Sequence, residues 1–136
     1  MRLGSDVMPR TAEDVENYLL SLNRQFENDQ GTFVVSSGAH APPVAIGIAG
    51  PIVALRVFIG ALPTDAAHQA KLYRKLLEYN ASDLMHASYG INQNQIVLSA
   101  ALELENLDQN ELEAALSDID MALARHIGEL RQIAGS

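Results

Sequence analysis

The side chains able to do chemistry are few, and their spacing limits what they can do. Histidines stand at His40, His68, His86 and His126. No two of them are related by i, i+4 and no HExxH segment occurs, so the helical geometry that holds a catalytic zinc is missing. His126 falls on the apolar stripe of a long helical pattern, where a partly buried, hydrogen-bonded imidazole is the ordinary reading. His86 belongs to a strand beside a loop and is the histidine best placed for a chemical role, although it has no obvious partner in sequence. Glu103 and Glu105 are at i, i+2 on one strand face, close enough to perturb each other or share a cation. A charged sheet face that discourages aggregation uses the same residues. With no cysteine in the chain, disulfides, thiolate zinc sites and cysteine nucleophiles are excluded. Neither a Gly-rich phosphate loop nor a GxSxG segment is present. The residues therefore gather no catalytic, cofactor or metal site.

Charge narrows the partners. The 136 residues carry 17 acidic and 9 basic side chains, a net charge of −8. Nucleic acids and anionic membranes are held by clustered Lys and Arg, so neither is an expected partner. Glu103, Glu105, Asp108, Glu111, Glu113, Asp118 and Asp120 follow one another with no basic residue between them. That run reads as a solvated acidic face, part of which suits a helix N-terminus. Lys71, Arg74 and Lys75, at i, i+3 and i+4, read as a solvated helix edge. Residues 42–62 are long and apolar enough to be weighed as a membrane span, with Arg56 their lone charge. Gly47, Gly50, Pro51 and Gly60 weaken a helix there, and the β-branched Val44, Ile46, Ile48, Ile52, Val53, Val57 and Ile59 favour two strands. MRLGSDVMPR lacks the apolar core of a signal peptide, and a cytoplasmic location is expected.

Periodicity supplies the elements that must position these side chains. One domain over residues 1–136 is expected, with 1–10 as a loose tail. Thr11 caps a helix over 11–28, with Asp14 at N3 and a buried stripe of Val15, Leu19, Leu22 and Phe26 beside Tyr18. Residues 32–37 form a strand, and 44–49 and 52–60 a hairpin around Gly50 and Pro51. Arg56 in that hairpin points to the open face, because unpaired burial would be costly. A second helix starts with Thr64 as cap and runs to about residue 80. Its row is Ala66, Ala70, Tyr73 and Leu77, widened by Leu72 and Leu76. A strand over 84–89, a turn over 90–94 and a strand over 95–104 make a second hairpin. In the last strand Ile96, Leu98, Ala100, Leu102 and Leu104 share one face. Asp108 and Glu111 form a capping box. The final helix, 109–133, carries Leu112, Leu116, Ile119, Leu123, His126, Leu130 and Ile133 as a heptad stripe. At about 35 to 40 Å it is long enough to outreach the sheet and leave apolar surface for a second subunit. The fold class is α+β, order α-β-β-β-α-β-β-α, with helices on one face of an antiparallel sheet.

Three segments carry a family likeness: Leu76-Leu77-Glu78-Tyr79-Asn80 closing a helix, His86-Ala87-Ser88-Tyr89-Gly90 in the following strand, and Leu104-Glu105-Asn106-Leu107-Asp108 before the last helix. In this order of elements the chain resembles the type III secretion chaperone-like superfamily, and within it the Tir chaperone (CesT) and YbjN-like families. The resemblance implies a homodimeric, non-enzymatic protein without cofactor, holding an extended polypeptide client in apolar grooves and along strand edges. Tyr18, Phe33, Val35 and Val57 are the expected client contacts, on the open sheet face or the outer side of the first helix. Burial in the core is the competing expectation for each. Two other readings stand beside this one. The first is a small-ligand or regulatory sensor domain on the same fold, and the second an enzyme using His86 or the Glu103/Glu105 pair.

Overall fold

The computed structural model describes residues 10–38 and 40–135. In chain order its elements are α1 (Ala12–Ser21), β1 (Phe26–Asp29), β2 (Thr32–Val35), β3 (Val44–Ala49), β4 (Ile52–Ala61), α2 (Ala66–Ser82), β5 (Ser88–Asn92), β6 (Gln95–Glu103) and α3 (Gln109–Ile133). Alternation along the strands builds one six-stranded sheet of order β1-β2-β3-β4-β6-β5, antiparallel throughout. Phe33 and Val35, Val44 and Ile46, Val53 to Ile59 at every second residue, and Ile96, Leu98 and Ala100 all turn to the same side. There they meet Val15 and Leu19 of α1, Leu72 and Leu76 of α2, and the Leu112–Leu130 stripe of α3 in one core. All three helices of the described residues thus lie on one face, as the α+β pattern predicts.

The order differs from expectation by one strand, α-β-β-β-β-α-β-β-α. The first helix stops early because Asn23 takes a left-handed φ of 58°. Arg24 N–H then bonds Leu19 O at 3.0 Å and Asn23 N–H bonds Leu20 O at 3.1 Å, the paired closure of a Schellman motif. Phe26 reaches the core from β1 instead, its ring edge-on to Phe33 at 5.8 Å. Its spacing from Leu22 imitates a helical turn that the backbone does not make. The expected tail over residues 1–10 lies outside the described residues apart from Arg10, whose Nε donates to Leu107 O at 3.0 Å.

The second hairpin is shifted along the chain. The backbone N–H groups of Met85, His86 and Ala87 all donate to Asp118 Oδ2, at 3.1, 2.8 and 2.8 Å, so this stretch cannot join a ladder and β5 begins at Ser88. The strand instead runs on to Asn92, and the turn shrinks to Gln93 and Asn94, with φ of 52° and 65°. Two positive φ values in a two-residue loop make a type I′ turn.

On α2 the cap is Asp65, which accepts from His68 N–H at 2.9 Å. The inward residues are Leu72, Leu76 and Tyr79, while the expected row is outward, with Tyr73 36% and Leu77 68% exposed. Both rows have helical spacing, and the larger side chains take the core. The box at the start of α3 forms as expected, Glu111 N–H to Asp108 Oδ1 at 2.8 Å and Asp108 N–H to Glu111 Oε1 at 3.1 Å. At its far end Leu130 and Ile133 are buried, at 0% and 8% exposed, beside Ile59 and Ile96, so the end of the stripe packs on its own sheet.

Candidate functional site

Among the described residues no helix covers the face away from α1, α2 and α3, and its register is the key to it. Glu27, Val34, Ala45, Arg56, Ser99 and Ser88 form one line across all six strands. To one side lies a line of Gly47, Ala54 and Ala101, then Ala49, Ile52 and Glu103. To the other side lie Phe58, Val97 and Gly90. The centre of the face is therefore floored by residues with one side-chain carbon or none, and Phe58, 50% exposed, and Ile52, 36% exposed, stand up from it. A hollow of about 550 Å³ opens over Ala45, Gly47, Ala49 and Ala54 and is bounded by Arg56 and Phe58. A second, of about 250 Å³, lies over Gly90, Val97 and Ser99 and is bounded by the same Arg56. Arg56 is exposed, as expected.

The expected contact positions fall elsewhere. Phe33, Val35 and Val57, at 1%, 0% and 0% exposed, face the helices. Side chains alternate along a strand, so it is their neighbours Val34, Arg56 and Phe58 that look out. Tyr18 is half-buried, and its hydroxyl donates to Leu107 O at 2.9 Å, which fastens α1 to the corner before α3. His40, His68, His86, Glu103 and Glu105 are exposed and dispersed. Among the described residues no group of three His, Asp or Glu side chains is arranged to hold a metal ion. The basic trio of α2 divides, Arg74 meeting Glu78 and Lys75 meeting Glu129, each at 3.3 Å. The acidic run divides too: Asp118 is buried, and Asp120 pairs with Arg24 at 2.7 Å.

The densest polar chemistry is on the helical side. His126, 2% exposed, stacks on Tyr79 at 3.6 Å between ring centres and 9° between planes. Its Nδ1 lies 2.8 Å from the Tyr89 hydroxyl and its Nε2 2.8 Å from Asp83 Oδ2. An ionised carboxylate only accepts, so Nε2–H donates to Asp83, and in the neutral ring that tautomer leaves Nδ1 to accept from the Tyr89 hydroxyl. The Tyr79 hydroxyl in turn donates to Glu129. With both ring nitrogens engaged, this cluster is a clamp joining α2, β5 and α3. Asn80 adds to it, accepting from Tyr89 N–H at 2.8 Å and donating to Tyr89 O at 3.1 Å, and so occupies part of the outer edge of β5.

Burial raises the phenol pKa values of Tyr79 and Tyr89. The bond from His126 holds Asp83 below the usual carboxylate range, and the bond from Tyr79 does the same for Glu129. Carboxylates whose folded pKa is lowered stabilise the protein above their unfolded values, and that contribution is lost as pH falls through the folded values. The loss should begin as pH drops past 4.5 for Glu129 and 3.8 for Asp83. We expect the gap in urea midpoint between the protein and its Glu129→Gln variant to be constant near neutrality and to close below pH 4.5. A gap that widens on acidification would contradict this.

The type III secretion chaperone-like fold has this arrangement, an antiparallel sheet backed by helices on one side. A chain of the ExoU-SpcU heterodimeric complex of the Pseudomonas aeruginosa type III secretion system superposes with a TM-score of 0.66, at 15% identity, covering 89% of this chain and 98% of that one. A chain of the HopA1-SchA chaperone-effector complex gives 0.58, at 13% identity, over 88% and 91%. YbjN from E. coli gives 0.67, at 11% identity, over 90% and 96%. Residues 8–136 match the family model CesT_Tir_1, and the chain belongs to that family. The resemblance read from the three sequence segments is thereby borne out. No curated protein matches the sequence. Among the described residues no helix is long and apolar enough to cross a membrane.

Proposed function

We propose that the protein is a chaperone-like binding protein that holds an extended segment of a polypeptide client and acts as a homodimer. The observation that carries this reading is the bare sheet face, six strands wide, with its two hollows meeting at Arg56. Family membership supports it, as does the description of one similar structure as a chaperone-effector complex. Because Asn80 fills part of the β5 edge, the client lies on the face rather than along that edge. The second copy docks through the outer stripe of α2. Its small end, Ala66 and Ala70, faces its large end, Tyr73 and Leu77, when two such helices cross antiparallel about a two-fold axis.

Light scattering at micromolar concentration should give the mass of a dimer. Leu77→Glu should weaken it about tenfold or more, since Leu77 is 68% exposed in the single chain and would be covered by the small end of the second copy's α2. A strict monomer, or a dimer indifferent to Leu77→Glu, overturns the α2 assignment. Native purification followed by mass spectrometry should recover a client in stoichiometric amount. A dimer that repeatedly purifies alone counts against the chaperone-like reading.

A further inference from the structure

We infer that the open face selects client segments carrying an acidic side chain, with Arg56 as its partner and the Gly47–Ala54–Ala101 line as the bed for the client backbone. This rests on the polypeptide-binding reading above. The chain has a net charge of −8, and Arg24, Arg74 and Lys75 each find a carboxylate. Arg56 meets none among the described residues, being flanked across the sheet by Ala45 and Ser99. The carboxylates sharing its face are peripheral: Glu27 and Asp29 are on the edge strand β1, and Glu103 lies four residues beyond Ser99 along β6. A guanidinium left free above a floor of small residues, at the junction of two hollows, is placed to take a carboxylate in bidentate fashion. One cation without a second beside it does not make a phosphate or nucleic-acid site.

Glycine use on this face points to the same occupant. Gly47 and Gly90 have no left-handed φ, and a Cβ built on either meets nothing within 4 Å. Their own fold therefore does not need them bare, although glycine within a strand is destabilising. A second backbone laid close against the sheet does need them bare. Gly47, Ala54 and Ala101 run side by side across β3, β4 and β6, giving an extended segment a shallow bed next to Arg56.

The test is selection of displayed random 12-residue peptides on the full chain and on its Arg56→Gln, Arg56→Glu and Gly47→Val variants. The protein should enrich peptides with Asp or Glu at a fixed position. Arg56→Gln should abolish that preference, and Arg56→Glu should turn it toward Lys or Arg, with at least a tenfold loss for the best acidic peptide. Gly47→Val should lose enrichment while its urea midpoint stays level or rises. Enrichment without an acidic preference, or a preference that survives Arg56→Glu, overturns this inference and leaves the polypeptide-binding reading standing. A protein that enriches no peptide overturns both. If Arg56→Glu turns a dimer into a monomer by light scattering, the occupant is a second copy and the inference falls.

Discussion

Asp118→Ala should lower the free energy of unfolding by about 3 to 5 kcal/mol, the largest loss expected from any single polar side chain here. One carboxylate oxygen accepts from three consecutive backbone N–H groups, of Met85, His86 and Ala87. These bonds hold the loop between α2 and β5 against the middle of α3. Hydrogen bonds to a charged acceptor are worth more than neutral ones, and removing the acceptor strands donors that folding has already desolvated. Ala87 is 7% exposed, so its N–H has little access to water as a substitute. Asp118→Asn keeps one acceptor oxygen and should lose less than half as much. Urea denaturation of the three proteins measures the series, and amide exchange at residues 85–87 should accelerate first. An Asp118→Ala loss below about 1 kcal/mol would show that the loop stands without this anchor.

His126→Ala should cost about 3 to 4 kcal/mol, by a different route. The substitution empties a site where the ring is stacked on Tyr79, and it removes the partner of both the Tyr89 hydroxyl and the Asp83 carboxylate. His126→Phe restores the stacked ring without the two hydrogen bonds and should fall between the alanine variant and the protein itself. The chain has no tryptophan, so its near-ultraviolet circular dichroism comes mainly from tyrosine. The alanine variant should weaken that signal in the native state. Equal stability of the phenylalanine variant and the protein would assign the whole effect to packing.

Local signals in the sequence carry much of the fold. The β3–β4 hairpin closes at Gly50 with a φ of 58°. The capping box of α3 and the outward Arg56 also follow from residues only a few positions apart. Misplaced elements are those where two local patterns compete. Phe26 continues a helical stripe that Asn23 has already ended, and α2 offers two apolar rows of similar spacing. Phe33, Val35 and Val57 take the core face rather than the open one on parity alone, since in β2 and β4 apolar residues occupy both faces and a one-residue offset exchanges core for surface. The clamp was illegible for another reason: His126 lies 37 residues from Tyr89 and 43 from Asp83, and no periodicity links them. Asp118 did leave a trace, standing between Ala115 and Ala122 in a second row of α3 that is small and buried. An acid in that row asks for a partner across the core.

The pairing of β4 with β6 has a consequence for how the molecule assembles. The β1–β2, β3–β4 and β5–β6 connections are two residues each, so these hairpins close within their own sequence, on a microsecond scale of about 1 to 10 μs. The β4–β6 ladder is the longest in the sheet and brings Ile52 to Glu103 and Ala61 to Gln95, with α2 and β5 in between. It is a seam between two halves that the chain can prepare separately. Loop closure across that seam comes before its contacts can repay it. The joining of the halves, rather than the formation of any hairpin, is the step expected to limit folding, and the ladder that joins them carries the register shift between Phe58 and Gly60.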